Sequence, residues 1–180
     1  MRVISGKYRG KRLKEFDINT TKPTLDRVKE SIFNLIQFEI DGAVVLDLFA
    51  GTGALGIEAI SRNAKHVIFV DNNKKSIELI TTNLNGIDGS YSVHMMDFER
   101  FLKSSNEKYD IVLLDPPFST DMGLKAIDFL INNDRLNDKA IIIFETSNDK
   151  VFSFNYDGYE IVKKRYGTVA VYKITRALCE

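Results

Sequence analysis

From residue 43 onward the chain alternates between short apolar runs and stretches of helical periodicity. Apolar runs of five to seven residues fall at 43–49, 66–70, 91–96, 109–114 and 139–144. The first four connections are long enough for helices, most clearly at 53–63, 73–85 and 121–132. Such strand–helix repetition predicts a parallel sheet with helices on both faces. The tail breaks the rule: 159–166 (YEIVKKRY) and 168–174 (TVAVYKI) flank Gly167 and should pair as an antiparallel hairpin. Upstream, Pro23 and Thr24 open a helix expected over 24–40. Leu25, Val28, Ile32, Leu35 and Ile36 form its buried face, with Arg27, Glu30 and Asn34 on another. Residues 1–13 (MRVISGKYRGKRL) read as a small hairpin with Lys and Arg on its exposed side. Without repeats or linkers, residues 1–180 are expected to form one domain: a basic extension (1–23), a helix (24–40) and an α/β core (41–180).

A composition of 44% hydrophobic and 28% charged residues supports an ordinary core. No apolar run reaches the ~18 residues of a membrane span, and no signal peptide is expected before the fold. Cys179 is the single cysteine, and His66 and His94 are the two histidines. That excludes a disulfide framework and argues against a structural metal site, so the expected setting is the reducing cytoplasm, with a monomer as default. The formal net charge of zero changes meaning when divided along the chain. Residues 1–29 carry +6, residues 30–162 carry −10 and residues 163–180 carry +4.

Chemistry first shows in LDLFAGTGALG, at the end of the first core strand. Gly51, Gly53 and Gly56 spell the GxGxxG pattern of nucleoside-binding loops. Asp71 ends the next strand 20 residues later, where a carboxylate can accept both hydroxyls of an adenosine ribose. NAD(H) and S-adenosylmethionine (SAM) both satisfy these features. Asp47, four residues before Gly51, separates them. Beside a pyrophosphate its charge is repulsive, by about 1 kcal/mol or more; beside an ammonium and a sulfonium it attracts. Asp97 and Asp115 end the third and fourth strands, so four carboxylates aim at one sheet edge. Asp97 can serve either as the N-cap of the following helix or as an acceptor for the adenine amino group, with Phe98 on the ring.

The most specific string is Asp115-Pro116-Pro117-Phe118. Two prolines hold an extended backbone and remove two amide donors. The Asp115 carboxylate and the Pro116 carbonyl remain as acceptors beside an aromatic ring. Such a pair can bind the hydrogens of a planar exocyclic amine, favour pyramidalisation and free its lone pair for attack on a methyl sulfonium. Phe118 can stack on the base, and the carboxylate offsets charge developing on nitrogen. An ordinary low pKa would confine Asp115 to positioning.

DPPF resembles the (N/D)PP(Y/F) motif of class I SAM-dependent amino-methyltransferases, and LDLFAGTG is similar to their cofactor motif. Together with MRVISGKYRGKRL, TKPTLDRVKESIFN, DLFAGTGALGIEA and KRYGTVAVYKI, the chain resembles the bacterial RsmD family from end to end. The resemblance implies a Rossmann-like class I methyltransferase fold with a mostly parallel seven-stranded sheet, its last strand antiparallel. It implies SAM as cofactor and the exocyclic N2 of one guanine in small-subunit (16S) ribosomal RNA as target. Asp47, Gly51 and Gly53 would line the methionine end of SAM, with Phe49 standing where a glycine is common. Asp71 and Asn72 would meet the ribose, Asp97 and Phe98 the adenine, and Asp115 to Phe118 the target amine. Thr24 and Arg27 match an N-terminal motif beside the cofactor, where Arg27 meets the SAM carboxylate or pairs with Asp26 or Glu30.

A guanine within folded RNA must be unpaired or flipped to enter such a pocket, which calls for a basic surface on the phosphates. Lys7, Tyr8, Arg9, Lys11 and Arg12 are the candidates, with Lys163 to Arg165 and Tyr166 as a possible extension. The partner would be 16S RNA, a small subunit or an assembly intermediate. Three rival readings remain: a DNA adenine or protein-glutamine methyltransferase, a non-catalytic SAM- or nucleotide-binding assembly factor, and an NAD-dependent oxidoreductase.

Overall fold

A computed structural model describes residues 1–16, 23–117, 120–147 and 156–177. The element order is α1 (Pro23–Leu35), β1 (Val44–Leu48), α2 (Ala54–Ser61), β2 (His66–Asp71), α3 (Lys74–Leu84) and β3 (Tyr91–Met95). It continues with α4 (Phe98–Ser104), β4 (Tyr109–Leu114), α5 (Met122–Asn132), β5 (Leu136–Ser147), β6 (Tyr159–Tyr166) and β7 (Val169–Arg176). The seven strands form one sheet in the order β3-β2-β1-β4-β5-β7-β6. β1 to β5 are mutually parallel, and β7 runs antiparallel to both its neighbours. The strand order reverses at β1, between β2 and β4, and that switch point opens a crevice beyond the strands' carboxyl ends.

Two apolar layers cover the sheet. On one face Val45, Phe69, Leu113, Ile143 and Val171 pack with Val28, Ile32 and Ile36 and with Ile57 and Ile60 of α2. On the other, Leu46, Ile68, Val112, Ile142 and Tyr172 pack with Phe101 of α4 and with Ile127 and Leu130 of α5. The central strands are buried on both faces, which is why they read as continuous apolar runs.

Three boundaries differ from expectation. The first helix ends at Leu35 rather than near 40, because the chain turns at Ile36–Glu39 and Lys173 Nζ donates to the Leu35 carbonyl (2.9 Å). β5 extends beyond its apolar run at both ends, since pairing to β4 reaches Leu136 and pairing to β7 reaches Ser147. The N-terminal hairpin holds a single antiparallel bridge, Arg2 to Arg12, and draws its order from docking on α2. Glu58 accepts from the amides of Ile4 (2.7 Å) and Ser5 (3.0 Å), and the Lys7 amide donates to the Ser61 carbonyl (2.8 Å). Gly6, at φ +81, lies so close that a Cβ would stand 1.7 Å from the Ser61 carbonyl oxygen. No helix among the described residues is long and apolar enough to cross a membrane.

Candidate active site

The turn from β1 into α2 is tied down from the neighbouring strand. Asp71 accepts from the Gly51 amide through Oδ2 (2.9 Å) and from the Asn73 amide through Oδ1 (2.8 Å). Each oxygen keeps a lone pair for a ligand hydroxyl. Phe49 and Ala50 both donate to the Val70 carbonyl, which holds Phe49 at φ +74. That left-handed conformation costs a residue bearing a Cβ about 1–2 kcal/mol, and contact with Phe98 (5.2 Å between ring centroids) opposes the cost. Gly56 has a packing task, since a Cβ there would stand 2.3 Å from the Phe69 ring.

Two adjoining cavities open at this edge. The larger, about 570 Å³, is lined among others by Gly51, Asp71, Asn72, Phe98, Asp115 and Pro116. The smaller, about 250 Å³, lies against the sheet under α1, where Asp47, Asp115 and Glu145 meet Val28, Lys29 and Thr52. Phe49, Gly51 and Asp115 belong to both. Asp47 is buried and accepts from the Gly56 amide (2.8 Å); burial, with Asp115 and Asp71 nearby, pushes its pKa up to about 8. Asp115 keeps solvent access through the crevice, yet desolvation raises its pKa, correcting the expected low value. Lys29, which lines the smaller cavity with these carboxylates, is already paired with Glu58 (3.5 Å).

The acceptor pair expected at Asp115 and Pro116 is open. Among the described residues nothing donates to the Asp115 carboxylate or the Pro116 carbonyl, whereas Thr120 occupies the Pro117 carbonyl through its amide (3.1 Å) and hydroxyl (2.8 Å). Gly123 lets α5 close on this segment, for a Cβ there would meet Phe144 at 2.3 Å and Pro116 at 3.0 Å.

Other candidates fall elsewhere. Asp97 is the N-cap of α4, accepting from the amides of Glu99 (2.9 Å) and Arg100 (3.3 Å), and lies outside the crevice lining. Gly53, at φ +77, is the N-cap residue of α2 and also stands off the lining. Arg27 lines neither cavity and forms no ion pair with Asp26 or Glu30 among the described residues; it faces the hairpin across a groove of about 440 Å³ shared with Arg2 and Arg9. Phe118 and the side chain of Thr24 lie outside the described residues. In the hairpin, Lys7 pairs with Asp88 (3.2 Å), Tyr8 Oη donates to the Asp88 carbonyl (3.0 Å) and Lys11 Nζ donates to the Asn85 carbonyl (2.5 Å). These three dock the arm on the turn before β3, while Arg9 and Arg12 stay exposed without a side-chain partner among the described residues. β6, with Lys163 to Arg165, forms the edge of the sheet opposite β3.

Sequence reasoning missed Asn73, Ser76, Met96 and Met122 in the crevice and Glu145 beside it. The available signal for Glu145 was an acid inside an otherwise apolar strand, IIIFETS.

A doubly wound sheet with β7 reversed, and a crevice at its switch point lined by the glycine loop, Asp71 and Asp115, define a class I methyltransferase, the class whose methyl donor is SAM. The chain matches the family model described as Conserved hypothetical protein 95 over residues 1–175. It is 32% identical to ribosomal RNA small subunit methyltransferase D of Haemophilus influenzae, over 97% of this chain and 92% of that one. It is 35% identical to the Escherichia coli K12 protein of the same name, over 81% and 74%. The solved structure of yhhF from Escherichia coli superposes with a TM-score of 0.88 at 30% identity, covering 98% of each chain. SMU.776, complexed with SAH, shares the fold at a TM-score of 0.67 and 21% identity, over 83% of this chain and 48% of that one. The chain belongs to this RsmD family of ribosomal RNA methyltransferases.

Proposed function

We propose that the protein methylates the exocyclic N2 amine of one guanine in small-subunit (16S) ribosomal RNA, with SAM as donor. The observation that carries the reading is the open acceptor pair. Asp115 and the Pro116 carbonyl are unclaimed, while the adjacent Pro117 carbonyl is taken by Thr120. The carboxylate-rich wall fits a cationic cofactor, and Asp71 retains lone pairs toward the crevice for a ribose. Asp71 and Asn72 would hold the ribose, Phe98 would pack on the adenine, and Gly51 with Asp47 would meet the methionine end. Bound there, SAM supplies an electrophilic methyl group on a sulfonium. Asp115 and Pro116 O accept the two amine hydrogens and turn the nitrogen lone pair toward that methyl. The N–C bond would form as the S–C bond of the sulfonium breaks, its electron pair returning to sulfur so that S-adenosylhomocysteine leaves. The nitrogen then loses one proton, and the raised pKa of Asp115 suits its carboxylate to receive it.

The RNA surface follows from which cations the fold leaves free. Arg9 and Arg12, with Arg2 and Arg27 along the groove, form an exposed basic face leading from the hairpin to α1. Lys7, Tyr8 and Lys11 support that face by docking the arm.

The test is methyl transfer from labelled SAM to 16S RNA, assembled small subunits, duplex DNA and protein, with calorimetry against SAM and NADH. N2-methylguanosine in digested ribosomal RNA is the expected product. Transfer confined to DNA or protein, or binding of NADH in place of SAM, overturns the reading.

A further inference from the structure

Glu145 is a buried carboxylate that the fold leaves without a partner. It is 6% exposed, and among the described residues no group donates to it and no cation pairs with it. The strand register accounts for its place. Leu114 of β4 pairs with Phe144 of β5, so the next residue on each strand, Asp115 and Glu145, stand side by side at the sheet edge. Leu113 and Ile143, two positions before them, belong to one apolar layer, so the pleat turns both carboxyls to the same face. Both line the smaller cavity. Along the sheet Asp71, on β2, and Glu145, on β5, lie on opposite sides of Asp115, while the glycine loop borders the smaller cavity from the β1 side.

Its carboxyl opens into the smaller cavity rather than into packed protein, where a ligand that brings a donor can meet it. Beside Asp115, that ligand is the acceptor base. The Watson–Crick edge of guanine presents the N2 amine and the N1–H next to each other as donors. Adenine and 2-aminopurine carry a bare acceptor nitrogen at N1. We infer that Glu145 accepts the N1–H of the target guanine while Asp115 and Pro116 hold its N2 amine, making Glu145 a specificity-determining residue. A neighbouring pair of acceptors thus matches a neighbouring pair of donors, and a base with a lone pair at N1 meets a carboxyl oxygen instead. The inference rests on the guanine-N2 reading.

The experiment compares RNA carrying guanine or 2-aminopurine at the target position, with wild-type protein, Glu145→Ala and Glu145→Gln. Both bases have the reacting amine; they differ at N1–H and at O6. Wild type should favour guanine by about 10- to 100-fold in kcat/KM, the range of a lost base contact. Glu145→Ala should bring the ratio to within about threefold by slowing guanine alone, with SAM affinity unchanged by calorimetry. Glu145→Gln, which keeps an acceptor oxygen and the shape, should fall between them. Equal slowing of both bases by both variants, or a wild-type ratio near one, overturns the role of Glu145 while N2-methylguanosine still forms. A different methylated nucleoside from wild type instead overturns the underlying reading, and this one with it.

Discussion

Glu58 of α2 and Glu145 of β5 are both buried carboxylates, and the protein treats them in opposite ways. Glu58, fully buried in α2, accepts from the Ile4 and Ser5 amides and from Arg62 Nε (2.9 Å), with Lys29 Nζ at 3.5 Å. Glu145 has none of this, and burial together with Asp115 raises its pKa. A buried charge is retained where its partners are built in, and one left bare costs stability. Glu58 therefore serves the architecture, stitching the hairpin and α1 to α2, whereas Asp47, with the Gly56 amide as its one donor, and the bare carboxyls of Asp115 and Glu145 face cavities. The contrast separates structural acids from ligand-facing ones without reference to any relative.

Breaking the comparison at its catalytic side should give the largest effect. Asp115→Ala removes an acceptor from the reacting amine and should lower kcat by about 10²- to 10⁴-fold, with Tm and SAM affinity retained; wild-type turnover would refute the mechanism. On the structural side, Glu58→Ala leaves Arg62 and two amides without their acceptor and the buried Lys29 without its counter-charge. A loss of about 3–5 kcal/mol is expected, read as a Tm lowered by roughly 10 °C, with SAM affinity little changed below the transition. A Tm within a degree of wild type would erase the distinction.

The third prediction sharpens the comparison through pH. Asp47 has a folded pKa raised from 3.8 to about 8. The folded state therefore holds the proton more tightly than the unfolded chain. Stability from this group is full below about pH 4 and is lost as pH rises to about 8. Asp47→Asn, which keeps an acceptor for the Gly56 amide, should raise the Tm of the ligand-free protein at pH 8 and leave it unchanged near pH 4, as measured by calorimetry across that range. Added SAM should narrow the gap by supplying the missing cation. Equal Tm shifts at both pH values would count against it.

The smallest effects lie on the hairpin. Arg9→Ala with Arg12→Ala should weaken RNA binding and reduce the salt slope by about two without altering SAM affinity. Lys7→Ala, which removes an exposed pair with Asp88, should shift Tm by less than a degree and change the slope less than the double variant. The reverse ranking in a salt titration would move the RNA face to the docked side of the arm.

Much of this was legible in the chain before folding. Strand and helix periods, the reversed final hairpin, the glycine loop and Asp115-Pro116-Pro117 all depend on local spacing and backbone chemistry, and they stand where the pattern puts them. Asp97 illustrates the limit. A strand-end acid followed by a helix suits a ligand or a cap equally well, and the first turn of α4 takes one of its two oxygens. Arg27 shows a second limit: helical spacing gives its face, but the hairpin's docking on α2 decides that it borders the Arg2–Arg9 groove. The same holds for the basic arm, whose five residues look alike in sequence. Asp88 and Asn85, some 75 residues away or more, divide them into docking and free side chains.

The sequence by itself determined the kind of fold, the glycine loop and the rigid Asp115-Pro116-Pro117 segment, because each arises from residues close together in the chain. Tertiary structure alone decided which polar groups are satisfied. Glu58 and Glu145 are the same residue type within apolar surroundings, and no local pattern distinguishes them. The distinction comes from Ile4, Ser5 and Lys29, 29 to 54 residues distant, in one case and from an adjacent strand's carboxylate in the other. Hydrogen bonds and desolvation act through space, so only the folded chain could show which acid was left waiting for a ligand.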